Sequence, residues 1–245
     1  MAKEYVLNAE MPKILFISSP VIYSEFYRPE KLKDSLNYFK PEKIMYFIDE
    51  TFLNEFSEVY DKNMISAMRD RGFAVFEPDS VASFFSGAEN SWQLSLQQVT
   101  FEEHRLNYED EITFDDYSII WDTVISECQL NVWFELSPVN ADSTVPTHMF
   151  FSSVSIADDL KGRFVYSWSL GGYDYVYTFT EVEVIDLYFL MATAVLNHSD
   201  YLYDFFLNRY LHFSTPVKKT KGVYYKWDRS KQKLLPAGTA RFLFL

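Results

Sequence analysis

The sequence predicts an α+β domain: a mixed, largely antiparallel sheet packed against two long helices, with an early βαβ unit and a later strand meander. Three observations predict it. A helical hydrophobic period marks residues 51–71, and a long apolar run followed by a second helical stripe fills 181–211. Between them the period changes to two. The first helix lies between short apolar runs, which needs a crossover, whereas the later strands follow one another across short turns.

The elements follow in order. Lys13–Ser19 (KILFISS) reads as a buried strand ended by Ser-Ser-Pro. Glu30–Phe39 lies between prolines and fits a helix, and Lys43–Ile48 (KIMYFI) fits a second strand. In Thr51–Arg71 the residues Phe52, Phe56, Val59, Tyr60, Met64 and Met68 recur at three- and four-residue steps, with Thr51 as the cap and Gly72 at the left-handed C-terminal position. Phe73–Phe76 reads as a strand, and Asp79 or Ser80 caps a short helix ending near Gly87.

Trp92, Leu94 and Leu96 then alternate with Gln93, Ser95 and Gln97, in a strand running on towards Phe101. The polar stretch Leu106–Asp116 reads as a loop insertion. Cys128–Leu136 alternates as a half-buried strand. Met149–Ala157 and Arg163–Ser169 read as a strand pair joined by residues 158–162, and Tyr173–Phe179 follows across Gly171-Gly172, a hairpin turn signal. Glu181–Asn197 is apolar nearly all round and reads as a buried helix, with Ser199 capping a continuation over Asp200–Leu211. Val223–Trp227 and Lys233–Leu234 close a hairpin, followed by the apolar Arg241–Leu245.

At 245 residues, 48% apolar and 23% charged, the chain can bury one sizeable core, which excludes wholesale disorder. It divides into a single α+β domain over 1–215 and a basic C-terminal hairpin over 216–245, docked on the same domain. That tail holds Lys218, Lys219, Lys221, Lys226, Arg229, Lys231, Lys233 and Arg241 against Asp228, while the chain as a whole carries −13. So acidic a body disfavours nucleic acid as a partner. The tail reads either as docked on its own acidic domain or as a contact for anionic lipid headgroups. Val184–Leu196, the longest apolar run, falls short of the roughly 20 residues that span a bilayer. Met1–Pro12 carries Lys3, Glu4 and Glu10, so it does not read as a signal peptide.

Motifs that name a reaction are missing. The glycines at 72, 87, 162, 171, 172, 222 and 238 assemble neither a dinucleotide fingerprint, a P-loop nor a nucleophile elbow. His104, His148, His198 and His212 form no i,i+4 pair, and His198 reads as a helix C-terminal partner. Cys128 reads as a small buried hydrophobe. Within Glu102-Glu103-His104 only Glu102 and His104 share a strand face, which suits a salt-bridged strand end. The run Glu109-Asp110-Glu111 reads as a solvated loop. No catalytic residue, cofactor or metal is therefore expected.

The aromatic residues, 19% of the chain, are the remaining anomaly. Tyr173, Tyr175, Tyr177 and Phe179 share one strand face, with Tyr166 and Trp168 on the hairpin partner. Such a face is either a rim of cross-strand aromatic pairs or an exposed surface for protein or glycan contact. Tyr224, Tyr225 and Trp227, close to Lys218, Lys219 and Lys221, could seat a headgroup in the same way.

Several segments taken together carry a family likeness: the strand KILFISSP, the helix end and strand AMRDRGFAVFEPDSVASFF, and VSIADDLKGRFVYSWS ahead of the long apolar helix. The set resembles cell-envelope lipoproteins that share the α/β domain of the curli-secretion lipoproteins and the amino-terminal domain of the Tol–Pal β-propeller protein. Gly72–Pro78 matches that group's helix-to-strand passage, and Asp158, Gly162 and Tyr166 match its later hairpin pattern. The resemblance implies a non-catalytic, periplasm-facing, lipid-anchored protein that contacts other envelope proteins in assembly or secretion. It implies no catalytic residues, and it needs a signal segment with a lipid-bearing Cys ahead of Met1. Two other readings stay open: a cytoplasmic hydrolase or transferase whose carboxylates come from distant residues, and a peripheral membrane or glycan binder working through the basic aromatic tail.

Overall fold

The structure, a computed structural model, describes residues 5, 10–18, 22–27, 44, 47–86, 90–113, 118–139, 146–169, 171–214, 224–237 and 242–244. The α+β class is as the sequence predicts. Strands β1 (Lys13–Ile17), β2 (Ile22–Tyr27), β3 (Ala74–Phe76), β4 (Ser91–Thr113), β5 (Ser118–Pro138), β6 (His148–Ala157) and β11 (Phe242–Phe244) form one mixed sheet. Its order is β11-β6-β5-β4-β1-β3, with β2 also beside β4. The β1, β2 and β3 pairings are parallel; β4 to β5, β5 to β6 and β6 to β11 are antiparallel.

Helix α1 (Glu50–Asp70) makes the crossover from the β1 side to β3. Its cap is Asp49, whose Oδ1 accepts the Phe52 N–H at 2.8 Å, in place of the expected Thr51. The helix closes as expected at Gly72, which has φ +91° and donates to the Arg69 carbonyl while Phe73 N–H reaches Met68. A short helix α2 (Val81–Phe85) follows. The predicted helix Glu30–Phe39 lies outside the described residues. Of the predicted strand Lys43–Ile48, only residues 44, 47 and 48 are described; they are not extended, and Phe47 N–H turns back to the Ile44 carbonyl at 3.0 Å.

One irregularity sets the whole sheet. Trp92, Leu94 and Leu96 point to the core from even positions, while Val99, Phe101 and Glu103 do so from odd ones. The β4–β5 register shifts between Leu96 and Gln98, and this extra residue keeps both runs on one face. Without it Phe101 would turn to the other side of the sheet.

Helices α1 and α3 (Asp186–Ser214) cover that face. Phe101 packs edge-on against Phe56 at 4.6 Å, and Trp92 meets Phe205 and Phe206 at 5.8 and 5.3 Å. The helices are tied to each other by Arg71 to Asp200 at 2.8 Å and by Tyr60 Oη to His198 Nδ1 at 2.8 Å. Helix α3 is continuous where the sequence predicted two pieces: the Ser199 hydroxyl donates back to the Val195 carbonyl inside the helix rather than capping a new start. Nor is α3 buried all round, because Phe189 and Leu196 are exposed. His198, expected at a helix end, is instead buried at its middle.

Strands β9 (Tyr224–Asp228) and β10 (Lys233–Ala237) form the C-terminal hairpin. Asn208 of α3 donates to the Tyr225 carbonyl at 2.6 Å and accepts its N–H at 2.9 Å, as a neighbouring strand would. Asp204 takes the Trp227 N–H at 2.9 Å. Tyr224 and Trp227 pack against the core.

Two corrections concern the strands nearest the candidate site. The stretch Leu106–Asp116 is not a loop insertion: β4 continues through Thr113 and pairs with β5 as far as Ser118. Leu106, Tyr108, Asp110 and Ile112 alternate there with Asn107, Glu109 and Glu111, so the acids sit on a strand rather than in a loop. Nor do Met149–Ala157 and Arg163–Ser169 pair with each other. Strand β6 pairs with β5 and β11, and β7 (Asp159–Ser167) leaves the sheet and, among the described residues, pairs with β8 (Gly172–Thr180) alone.

Candidate contact surface on two projecting ribbons

Two antiparallel ribbons leave the body of the sheet. Strand β2 ends its pairing at His104 and β6 ends its pairing at Glu127, so beyond those points β4 and β5 pair, among the described residues, with each other alone. The β7–β8 hairpin forms the second ribbon. Its nine-residue strands span about 30 Å at roughly 3.3 Å per residue. Tyr177 Oη of the second ribbon donates to Asp110 Oδ2 of the first at 3.3 Å, a link between them. Lost hydration, then the Asp110 carboxylate, pushes the Tyr177 phenol above its ordinary range.

Asp158 builds the root of the second ribbon. Its two carboxylate oxygens accept the N–H of Ser126 in β5 at 2.8 Å and of Val182, just past β8, at 2.7 Å, while its own N–H donates to the Ser126 carbonyl at 2.9 Å. One side chain thus fastens both legs of the hairpin to the main sheet. Asp158→Ala is expected to cost about 1.5–3 kcal/mol through the two charge-assisted bonds, and to raise amide exchange over Tyr173–Phe179 at least about tenfold while α1 amides stay protected. Unchanged exchange over β8 would show that the hairpin is held elsewhere.

The register settles which aromatics meet. Phe164 lies opposite Tyr175 and Tyr166 opposite Tyr173, with ring centroids 4.8 and 5.4 Å apart. Trp168 stands edge-on to Tyr166 at 5.0 Å, and Tyr175 to Tyr177 at 5.1 Å. Gly162 has no side chain because the Tyr175 ring occupies the place a Cβ would take. Exposure then sorts the residues that the sequence singled out. Trp168 is 89% exposed and Tyr173 75%, Tyr166 is exposed to a lesser degree, and Tyr175 and Tyr177 are half-buried. On the C-terminal hairpin Tyr224, Tyr225 and Trp227 are half-buried, so the structure does not bring them together with the β7–β8 aromatics as one open face. Lys218, Lys219 and Lys221 lie outside the described residues.

Sequence reasoning missed the first ribbon, whose Leu106, Tyr108 and Ile120 are exposed. A period of two was present in Leu106–Ile112, but the acids at 109–111 masked it. It missed Phe164 too, the exposed ring opposite Tyr175.

The other titratable groups are paired as follows. Glu102 and His104 pair at 2.8 Å, as their shared face requires; Asn131 donates to Glu102 at 2.6 Å, and the Tyr27 ring stacks on His104 at 4.8 Å. Buried Glu103 pairs with buried Arg105 at 3.2 Å and accepts the Ile44 N–H at 3.3 Å. Cys128 is buried, and burial pushes its thiol up to about 12. A small cavity bounded by Met64, Leu94, Phe134, Phe150, His198, Tyr201 and Leu202 contains no carboxylate. Among the described residues no three His, Cys, Asp or Glu side chains are placed to share a metal ion, and no helix is long and apolar enough to cross a membrane.

Fold and surface together define an α+β domain carrying two linked β-ribbons, the second of them rich in aromatic residues. No protein-family model matches the chain, and no curated protein matches it. Among solved structures, one from Helicobacter pylori described as a neuraminyllactose-binding hemagglutinin homolog is similar to 83% of this chain over 92% of its own, at 12% identity and a TM-score of 0.38.

Proposed function

We propose that this is a non-enzymatic cell-envelope protein, periplasm-facing and lipid-anchored, that acts by protein–protein contact in envelope assembly or secretion. The envelope setting rests on the segments that resemble the envelope lipoproteins, whose Asp158, Gly162 and Tyr166 positions all have work in the second ribbon: the root, the seat of Tyr175, and the exposed edge. The contact mode rests on one observation above the others. Phe164, Tyr166, Trp168 and Tyr173 are carried on a hairpin fastened at its root by Asp158, outside the main hydrophobic cluster and exposed to a partner.

A photo-cross-linking amino acid at Phe164, in the chain expressed from its full gene, tests this. The expected result is a discrete adduct with one envelope protein, recovered in the membrane fraction and lost on Asp158→Ala. Recovery of the chain in the cytosol without an adduct would overturn the reading.

A further inference from the structure

The far end of the second ribbon carries no charge and stands open to solvent. Phe164–Tyr173 (FVYSWSLGGY) is ten residues without one charged side chain, in a chain that is 23% charged and carries −13. The charges begin again at once on either side, with Arg163 on β7 and Asp174 on β8. From Arg163 to the turn the strand advances four residues, about 13 Å at roughly 3.3 Å per residue. That exceeds the about 5–10 Å to which the apolar face of an interfacial helix enters the boundary between headgroups and acyl chains, so the end can enter to such a depth with Arg163 and Asp174 left outside.

The rings at this end are already assembled. Trp168 against Tyr166 and Tyr166 against Tyr173 are edge-on contacts made without any partner, so few rotamers remain to be fixed on binding. They stand at the convex end of a narrow hairpin, a shape that enters a planar layer rather than enclosing a ligand.

Charge chooses the occupant. A cationic partner finds no carboxylate between Phe164 and Tyr173, and an anionic one is repelled by the net −13 of the chain. An electrically neutral surface meets neither obstacle. Trp and Tyr, with an apolar body and a polar tip, are the residues that settle at such an interface. We infer that the uncharged tip of the β7–β8 hairpin, led by Trp168 with Tyr166 and Tyr173, inserts into the interfacial layer of an electrically neutral lipid bilayer. This goes beyond the protein-contact reading: Phe164 and the flank below it serve the partner protein, while Tyr166, Trp168 and Tyr173 at the end touch the membrane.

Vesicles of phosphatidylcholine alone test it, with no partner protein present, so that failure here leaves the protein-contact reading standing. The purified chain should sediment with the vesicles, and brominated acyl chains should quench a part of its tryptophan emission that Trp168→Phe removes. Trp168→Ala with Tyr173→Ser should weaken the partition about tenfold. Both side chains are open to solvent, so the circular dichroism spectrum should not change. Raising salt from about 0.05 to about 0.5 M should leave the partition unchanged, since no ion pairs carry it. Adding anionic phosphatidylglycerol should weaken it. Substituting Lys218, Lys219 and Lys221 by Ala should leave it unchanged. The inference fails if the chain stays in solution, if the tip variant partitions as well as the parent, or if binding appears only on anionic vesicles and disappears with salt.

Discussion

Replacing Phe101 by Ala is expected to lower the unfolding free energy by about 3–5 kcal/mol. The ring is 1% exposed, stands edge-on to Phe56 at 4.6 Å and to Phe52 at 6.2 Å, and lies opposite Leu130 in the register. Helix α1 spans that place, so the surroundings cannot collapse into the void without moving a helix that Asp49 and Gly72 fix at its two ends. Urea unfolding followed by circular dichroism reads the change. A loss below about 1 kcal/mol would show that the seam between α1 and the sheet can close over the void. Phe101 also sits just short of the point where β4 leaves the body, opposite Ser24 of β2.

The second large effect is in pH. His198 lies buried between α1 and the sheet, bonded through Nδ1 to Tyr60 and facing the rings of Phe134 and Tyr201. Burial holds its pKa down at about 3, from an ordinary 6.5. The sign follows from counting protons. Between pH 6.5 and 3 the unfolded chain carries a proton on this imidazole and the folded chain does not, so stability rises with pH across that window and falls as the solution is acidified. The slope is about 1.4 kcal/mol per pH unit, about 4–5 kcal/mol in all by pH 3. Carboxylates contribute to acid unfolding as well, so the informative quantity is a difference. His198→Gln should be somewhat less stable than the parent at pH 7, yet lose less stability between pH 6 and pH 4. Parallel losses in parent and variant would mean that His198 takes up its proton in the folded state without penalty.

The acid sensitivity of His198 could not have been read from the chain. Its position after Leu196-Asn197 suggested a helix end, where a protonated imidazole is favourable; the continuous α3 places it in the middle, where desolvation works in the opposite direction. That the strand runs on towards Phe101 was legible, but the alternation of Trp92, Leu94 and Leu96 by itself would turn Phe101 to the other face. The bulge at Leu96/Gln98 that keeps it inward was not legible, because a one-residue change of parity leaves no signature in an otherwise regular pattern.

The candidate surface divides in the same way. The hairpin across Gly171-Gly172, and the shared face of Tyr173, Tyr175 and Tyr177 opposite Tyr166, were determined by the sequence alone, because a strand's side-chain period and a two-glycine turn are local properties. Whether that face lay in a core or in the open was not local. It depended on Asp158 drawing in the N–H groups of Ser126 and Val182, which ends the β6 ladder and swings β7 and β8 away as a separate ribbon. Leu106–Thr113 is a comparable case: a stretch with acids at 109, 110 and 111 holds as a strand once β5 supplies a full row of backbone partners. The sequence by itself determined the α+β class, the helix over Thr51–Arg71 ending at Gly72, and the aromatic identity of one hairpin face. The tertiary structure alone decided that this face stands clear of the body and that a second ribbon stands beside it. The physical reason is that periodicity and turn chemistry act over a few residues, whereas burial is set by which distant backbone and carboxylate groups find one another.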